Sequence, residues 1–211
     1  MEYIAHRINT VEELRQLPIH YGVELDLRDD LNGRIYLSHN PFEPGEDFEA
    51  YCKEYHHGTM ILNIKSERIE HKVLEYMKQY QIEKYFFLDS SFPMIKLLTD
   101  QGVKEIALRF SELEGMDTLR NMAGKAEWVW VDCFTKIPLD QDSYRELREL
   151  GYKLCFVSPE LEAQEEKISG YRKYLEEQGF RLDAVCTKQY HIKDWMEMEK
   201  GMTGKRGNGS I

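Results

Sequence analysis

The sequence predicts an α/β fold built from successive parallel β-α units. Over 211 residues, short apolar runs rich in β-branched and aromatic residues alternate with longer amphipathic stretches. Eight such runs are present, and eight parallel strands close a (β/α)8 barrel, which needs about 200 residues or more. The same alternation also fits an open, doubly wound sheet. The pattern alone therefore leaves these two architectures open.

Each predicted strand is an apolar run of four to six residues, and each predicted helix repeats apolar residues every three or four positions. The predicted helices are Arg68–Tyr80, Ser143–Leu150 and Glu162–Gln178. The predicted strands are Tyr3–His6, Val23–Leu27, Met60–Ile64, Tyr85–Leu88, Glu105–Arg109, Trp128–Cys133, Lys153–Val157 and Ala184–Thr187.

One unit departs from this rhythm, because a β-hairpin is predicted after the second strand. Asn32-Gly33 stands between Val23–Leu27 and the short run Ile35–Leu37, and Asn-Gly between two β runs is a strong hairpin signal. His39 follows the second arm of this hairpin. We therefore expect His39 on a loop near the C-terminal end of the second strand.

Composition restricts the partners and the compartment. The formal net charge is −10, which argues against nucleic acids and anionic membranes as partners, since both require a basic face. No apolar run approaches the roughly 18 residues of a membrane span, and the N-terminus lacks a signal-peptide pattern. The four cysteines lack the spacing of a zinc site or a disulfide scaffold. We expect a cytoplasmic protein with a single domain over residues 1–200 and a disordered, Gly-rich tail over 201–211.

Polar residues stand at the ends of several predicted strands, where a parallel barrel carries its active site. Glu24 and Asp26 are two positions apart, as are Asn63 and Lys65, so each pair faces one side of its strand. His6, Arg7, His39 and Arg109 would join them at one rim. Such a set offers oxygen ligands for a hard divalent ion, cations for a phosphate and imidazoles for proton transfer. A purely structural alternative is that Lys65 and Arg109 only neutralise the two acids.

Five segments, taken in order, resemble the glycerophosphodiester phosphodiesterase family of TIM barrels. His6-Arg7 resembles the family's His-Arg opening, and Val23–Leu27 its Ile-Glu-x-Asp-Val strand. Residues 32–39 resemble its turn, strand and second His, Leu62–Lys65 its Glu-x-Lys strand, and Ser90-Ser91-Phe92 its Ser-Ser-Phe strand end. The second half of the chain matches only in its β-α rhythm. The resemblance therefore implies a compact TIM barrel with a hairpin after the second strand.

The resemblance also implies roles for the site residues. His6 and His39 would be the general acid and base, and Arg7 and Lys65 would face the phosphate of a small phosphodiester substrate. From its place at the end of the fifth predicted strand, we expect Arg109 to bind the substrate as well. Glu24, Asp26 and Asn63 would hold a divalent cation, Mg²⁺ or Ca²⁺. The implied activity is metal-dependent phosphodiester hydrolysis.

The chain departs from the family pattern at several positions. Asn63 stands where the family has a third acidic metal ligand, and an amide oxygen ligates a hard cation without adding charge. Asn40 follows His39 in place of an Asp, and Asn9-Thr10 lacks the Glu of the corresponding family segment. Two alternatives stay open: a degenerate barrel that binds a phosphorylated ligand or partner without turnover, and a barrel enzyme acting on a sugar phosphate.

Overall fold

The computed structural model describes residues 1–196, which fold around a closed sheet of eight parallel strands. The predicted tail, residues 201–211, lies outside the described residues. The strands are β1 (Glu2–Ala5), β2 (Gly22–Asp29), β3 (Ile35–Leu37), β4 (Glu46–Asp47), β5 (Met60–Ile64), β6 (Tyr85–Leu88), β7 (Ala107–Phe110), β8 (Trp128–Val131), β9 (Lys153–Val157) and β10 (Ala184–Thr187). The helices are α1 (Val11–Gln16), α2 (Phe48–Glu54), α3 (Glu70–Gln79), α4 (Phe92–Asp100), α5 (Met116–Met122), α6 (Gln141–Glu149) and α7 (Ile168–Gln178).

Strand pairing decides between the two predicted architectures in favour of the barrel. Parallel ladders join β7, β8, β9, β10, β1, β2, β5 and β6 in that order. A single parallel bridge between Phe87 and Ile106 joins the last strand to the first. The predicted compact TIM barrel is thus confirmed, and its weakest seam lies between β6 and β7.

The hairpin extends β2 beyond the barrel. Strand β3 pairs antiparallel with the end of β2, with Leu27 opposite Leu37, and β4 pairs antiparallel with β3. Gly33 adopts a left-handed backbone with φ of 73°, a conformation that glycine reaches without steric cost. The loop after β3, which carries His39, therefore returns toward the C-terminal end of β2.

Two predicted helices begin later than expected, and each late start has a backbone cause. The predicted helix Arg68–Tyr80 begins at Glu70 because Arg68 is left-handed, with φ of 72°. The predicted helix Glu162–Gln178 is likewise interrupted at Ala163, with φ of 56°. Only 3₁₀ turns precede α7 there. A right-handed helix cannot continue through a left-handed residue. The apolar spacing therefore overestimated the length of both helices.

The barrel interior is apolar toward the N-terminal ends of the strands and polar at their C-terminal ends. Ile4, Ile61, Phe86 and Trp130 belong to the buried cluster that fills it, and the rings of Phe86 and Trp128 stack with centroids 4.6 Å apart. Successive inward positions on a strand are two residues apart. The strand faces that contribute this apolar cluster therefore also carry the polar side chains at the C-terminal ends of the strands. No helix within residues 1–196 is long and apolar enough to cross a bilayer.

Gly22 gives a test of this packing. A Cβ atom at Gly22 would lie 2.5 Å from the backbone oxygen of Thr59 and 3.0 Å from Ile4 Cγ1. Gly22→Ala should therefore lower the free energy of unfolding by about 1–3 kcal/mol, measured by urea denaturation. Gly115→Ala is the matched control, since a Cβ there meets nothing within 4 Å. Equal stability of the two variants would contradict this packing.

Candidate active site

Seven of the predicted site residues meet at the C-terminal mouth of the barrel. His6 and Arg7 follow β1, Glu24 and Asp26 lie in β2, and Asn63 and Lys65 lie in and just after β5. The ladder between β2 and β5 pairs Asp26 with Asn63. His39 arrives from the hairpin and contacts Asp26. The predicted convergence on one rim is therefore present in the structure for these seven side chains.

Glu24 is 1% exposed, and internal donors satisfy both of its oxygens. Oε1 accepts a hydrogen bond from Asn63 Nδ2 at 2.8 Å, and Oε2 accepts one from the backbone N–H of Arg7 at 2.8 Å. His6 Nε2 lies 3.5 Å from Oε2. Burial raises the pKa of Glu24 above its ordinary value, and the charge of Asp26 raises it further.

Asp26, also 1% exposed, is surrounded by donors. Asn9 Nδ2 donates to Oδ2 at 2.9 Å and His39 Nδ1 contacts Oδ1 at 3.1 Å. Lys65 Nζ lies 3.7 Å from Oδ1 and Arg7 Nε 3.6 Å from Oδ2. Burial alone would raise the pKa of Asp26, but the hydrogen bonds from Asn9 and His39 and the charge of Lys65 hold it below its ordinary value. Asp26 is therefore the stronger acid of the two.

The contacts of His39 fix its tautomer. Nε2 lies 3.2 Å from an Nη atom of Arg7, and a guanidinium can only donate. Nε2 must therefore carry the lone pair, and Nδ1 carries the proton that is donated to Asp26. His39 Nε2 is thus an acceptor at the barrel mouth, and Arg7 occupies it in this structure.

His6 shows the opposite arrangement. Its Nδ1 lies 2.9 Å from Lys188 Nζ, and an ammonium group can only donate. The remaining ring proton is then on Nε2, which faces Glu24. Burial, together with the charges of Lys188 and Arg7, lowers the pKa of His6 to about 3. The two imidazoles thus face the site with different groups, an N–H on His6 and a lone pair on His39.

Arg109 joins this site only indirectly. Its guanidinium contacts Asp132 and Asp89, with Nε donating to Asp89 Oδ1 at 2.8 Å. Asp89 in turn lies 3.4 Å from Lys65 Nζ. Burial raises the pKa of Asp132 to about 7 even though Arg109 lies beside it. Lys65 and Arg109 therefore do pair with acids, but Arg109 does not contact Glu24 or Asp26.

Four further residues hold the site in place: Asn9, Arg28, Asp89 and Lys188. The sequence pattern places Asp89 and Lys188 at strand ends on this rim without a specific role, and it assigns nothing to Asn9 or Arg28. Arg28 donates to the backbone oxygens of Ser38 at 3.2 Å, His39 at 2.8 Å and Lys65 at 3.1 Å. These bonds tie the His39 loop to the end of β5. A period of two places Arg28 on the same side as Asp26, a signal that was available in the sequence. The contacts of Asn9 depend on loop conformation and leave no such pattern.

The chemistry of the donor set fits a hard divalent cation. Glu24, Asp26 and Asn63 present only oxygen ligands on two neighbouring strands. Asn63 Oδ1 is buried without a hydrogen-bond partner, and a buried amide oxygen of this kind is normally satisfied. Among residues 1–196, no group of three or more His, Cys, Asp and Glu side chains is arranged to hold a metal ion. A site here would therefore depend on two carboxylates and one amide.

The three hydrogen bonds of Arg28 give a stability prediction. Arg28→Lys keeps the charge, but an ammonium group cannot satisfy three separate carbonyl oxygens. We expect the free energy of unfolding to fall by about 1–3 kcal/mol in urea denaturation. Arg15→Lys is the control, because Arg15 and its partner Glu54 are both exposed, and its effect should stay within about 0.5 kcal/mol. If both variants unfold alike, Arg28 does not fasten the loop.

Comparison with known proteins places this geometry in a known fold. No family model and no curated protein matches the sequence. Several solved structures match, and two of them do so with high coverage. A glycerophosphodiester phosphodiesterase from Agrobacterium tumefaciens str. C58 has a TM-score of 0.63 at 12% identity, covering 88% of this chain and 96% of that one. A glycerophosphoryl diester phosphodiesterase from Parabacteroides distasonis ATCC 8503 has a TM-score of 0.65 at 11% identity, covering 93% and 86%. The chain therefore has the TIM-barrel fold of the glycerophosphodiester phosphodiesterases.

Proposed function

We propose that this protein is a metal-dependent phosphodiester hydrolase. The observation that carries the proposal is the placement of two imidazoles on either side of one pair of buried carboxylates. His6 Nε2 lies 3.5 Å from Glu24, and His39 Nδ1 lies 3.1 Å from Asp26. Two imidazoles around one anion-binding mouth suit a reaction in which one proton is removed and another is delivered.

The cations at the mouth suit a phosphodiester anion. Arg7 has a side chain 40% exposed and Lys65 one 19% exposed, so both border the open end of the barrel. In this proposal Arg7 and Lys65 bind the phosphoryl oxygens. Arg109 contributes through Asp89, which orients Lys65. The net charge of −10 belongs to the chain as a whole and does not prevent these two cations from contacting an anion locally.

Glu24, Asp26 and Asn63 would hold the divalent cation, Mg²⁺ or Ca²⁺. The cation supplies positive charge that neutralises the phosphoryl oxygens as the transition state forms. The orphaned Oδ1 of Asn63 is the feature of this chain that such an ion would satisfy.

The tautomers suggest how protons move. In this proposal Arg7 leaves His39 Nε2 to bind the phosphate, and the freed lone pair takes the proton of the attacking hydroxyl. Asp26 holds the ring and stabilises the resulting imidazolium. The new bond joins that oxygen to phosphorus, and the bond from phosphorus to the leaving oxygen breaks. The N–H of His6 Nε2 would protonate the leaving alkoxide from the other side, and Lys188, whose Nζ lies 2.9 Å from Nδ1, would give that nitrogen a proton in turn, so that His6 stays neutral. When the attacking hydroxyl belongs to the substrate, water then opens the cyclic phosphate.

The acid–base proposal can be tested with single and double variants. We expect His6→Ala and His39→Ala each to lower kcat on a phosphodiester by about 10²–10⁴-fold, because each removes one proton-transfer group. The double variant should lose far less than the product, since the two groups serve one reaction. His20→Ala, at an exposed position on the opposite end of the barrel, should be neutral. Near-native turnover by His39→Ala would overturn the assignment.

Asn63 tests the metal site without any assay of activity. Asn63→Asp places a third carboxylate beside Glu24, so Tm should fall in the presence of a chelator. Added Ca²⁺ or Mg²⁺ should then raise Tm more than it does for the native protein, because a charged ligand tightens binding. The measurement is a thermal melt with and without millimolar metal. An equal metal response in both proteins would mean that position 63 does not contact an ion.

One observation favours the second candidate, a degenerate barrel that binds a phosphorylated ligand without turnover. Asn63, Arg7, Asn9, His39 and Lys65 already satisfy the two carboxylates. Because these donors already compensate the buried carboxylates, the site is stable without a metal ion. Turnover of a panel of phosphodiesters with and without Mg²⁺, Ca²⁺ and Mn²⁺ separates the two candidates. Phosphate binding with no turnover under any of these conditions would favour the degenerate barrel.

A further inference from the structure

Lys188 is a cation at the barrel mouth that has no acid partner. It directly follows β10, whose parallel neighbour β1 leads into His6. Among residues 1–196, Lys188 Nζ forms no ion pair with a carboxylate, and its hydrogen-bond partner is His6 Nδ1 at 2.9 Å. The Lys188 side chain is only partly exposed. Taking a charge out of water without pairing it costs free energy, so an anion bound at this ammonium group would be stabilised.

The two cations already proposed to bind phosphate differ from Lys188, because both contact acids of this chain. Arg7 Nε lies 3.6 Å from an oxygen of Asp26. Lys65 Nζ lies 3.7 Å from Asp26 and 3.4 Å from Asp89. An anion that binds to Arg7 or Lys65 therefore competes with these carboxylates, whereas at Lys188 it meets no competing acid.

Glu160 fixes the backbone of Lys188 at the end of β10. Glu160 Oε1 accepts hydrogen bonds from the Lys188 backbone N–H at 2.9 Å and from Thr187 Oγ1 at 2.6 Å. Glu160 Oε2 accepts one from the hydroxyl of Ser158, a buried residue that follows β9. Both oxygens of Glu160 thus accept from donors other than Lys188 Nζ. Glu160 therefore holds Lys188 in place and leaves the charge of its ammonium group unpaired.

Lys188 and Lys65 stand on opposite sides of the candidate site. The order of neighbouring strands is β10, β1, β2 and β5. The strands that lead to His6 and carry Glu24 and Asp26 therefore lie between the two lysines. An ammonium group has further N–H donors besides the one that meets His6. Lys188 can therefore contact His6 and an anion at the same time.

We propose that Lys188 is a substrate-binding residue, whose ammonium group binds a phosphoryl oxygen on the His6 side of the mouth. That the ligand is a phosphodiester rests on the proposed function; the binding of a phosphate anion by Lys188 does not. Lys188 binds the diester as an ammonium ion and passes a proton to His6 only as the leaving bond breaks. A proton from solvent then restores the ammonium group.

Inorganic phosphate tests this binding without metal and without turnover. The full chain is titrated with inorganic phosphate in the presence of a chelator, and the dissociation constant is measured by calorimetry. Lys188→Met removes the charge and keeps a long side chain. We expect it to bind phosphate about tenfold more weakly or less, because one charge-assisted hydrogen bond is lost. Lys104→Met is the matched control, because Lys104 is exposed before β7 at the opposite end of the barrel, and it should bind like the native protein.

Thermal melts in the same buffer separate a binding role from a structural one. Lys65→Met should lower Tm, because Asp26 and Asp89 each lose an ion-pair partner. Lys188→Met should lower Tm much less, because no carboxylate loses a partner. Millimolar inorganic phosphate should raise the Tm of the native protein more than that of Lys188→Met.

Equal phosphate affinity of the native protein and Lys188→Met would overturn the inference, as would the absence of phosphate binding by the native protein. An equal fall in Tm for Lys188→Met and Lys65→Met would also overturn it, because Lys188 would then have a structural role. Phosphate binding that depends on Lys188, without turnover of any phosphodiester, would leave the inference intact and remove the proposed hydrolase.

Discussion

The burial of two carboxylates on one strand is the constraint that organises the mouth of this barrel. Glu24 and Asp26 are each 1% exposed, and an uncompensated buried charge costs several kcal/mol. The surrounding chain supplies a donor to each of the four oxygens: the amides of Asn9 and Asn63, the backbone N–H of Arg7, and the imidazole of His39. Because these donors come from separate elements, satisfying the pair also fixes β1, β5 and the hairpin relative to β2.

Backbone strain is part of this compensation. Arg7 is left-handed, with φ of 59°, and Asp89 likewise, with φ of 61°. Asp89 stands directly after β6, and Arg7 is the second residue after β1. The turn at Arg7 aims its own N–H at Glu24 while its side chain reaches His39 and Asp26. A residue in this conformation costs of order 1–3 kcal/mol, which the hydrogen bond to a buried carboxylate offsets. Both strained residues therefore belong to the candidate site rather than to distant turns.

The sequence predicts the strands and the inward-facing residues well, because both depend on a period of two that is local to each strand. Glu24, Asp26, Asn63 and Lys65 occupy such positions and meet as predicted. Helix starts are predicted less well, since left-handed residues such as Arg68 and Ala163 leave no trace in apolar spacing. The partners of Arg109 could not be predicted either, because they depend on how neighbouring strands align around the barrel. The same is true of Asn9, whose loop must bring its amide back to Asp26.

Side-chain charge replaces the missing backbone ladder where the barrel is weakest. Strands β6 and β7 share one bridge, but Arg109 at the end of β7 donates to Asp89 at the end of β6. Ion pairs of alternating charge extend this contact in both directions. Asp89 also contacts Lys65, which contacts Asp26, and Arg109 also contacts Asp132. These five residues stand at the ends of β2, β5, β6, β7 and β8, which are consecutive neighbours in the barrel. These charges therefore form an arc over five of the eight barrel strands, and side-chain contacts rather than a backbone ladder join β6 to β7 beside the cleft lined by Phe92, Ile95 and Leu108. The same contacts that hold the seam thus connect that cleft to the buried carboxylates.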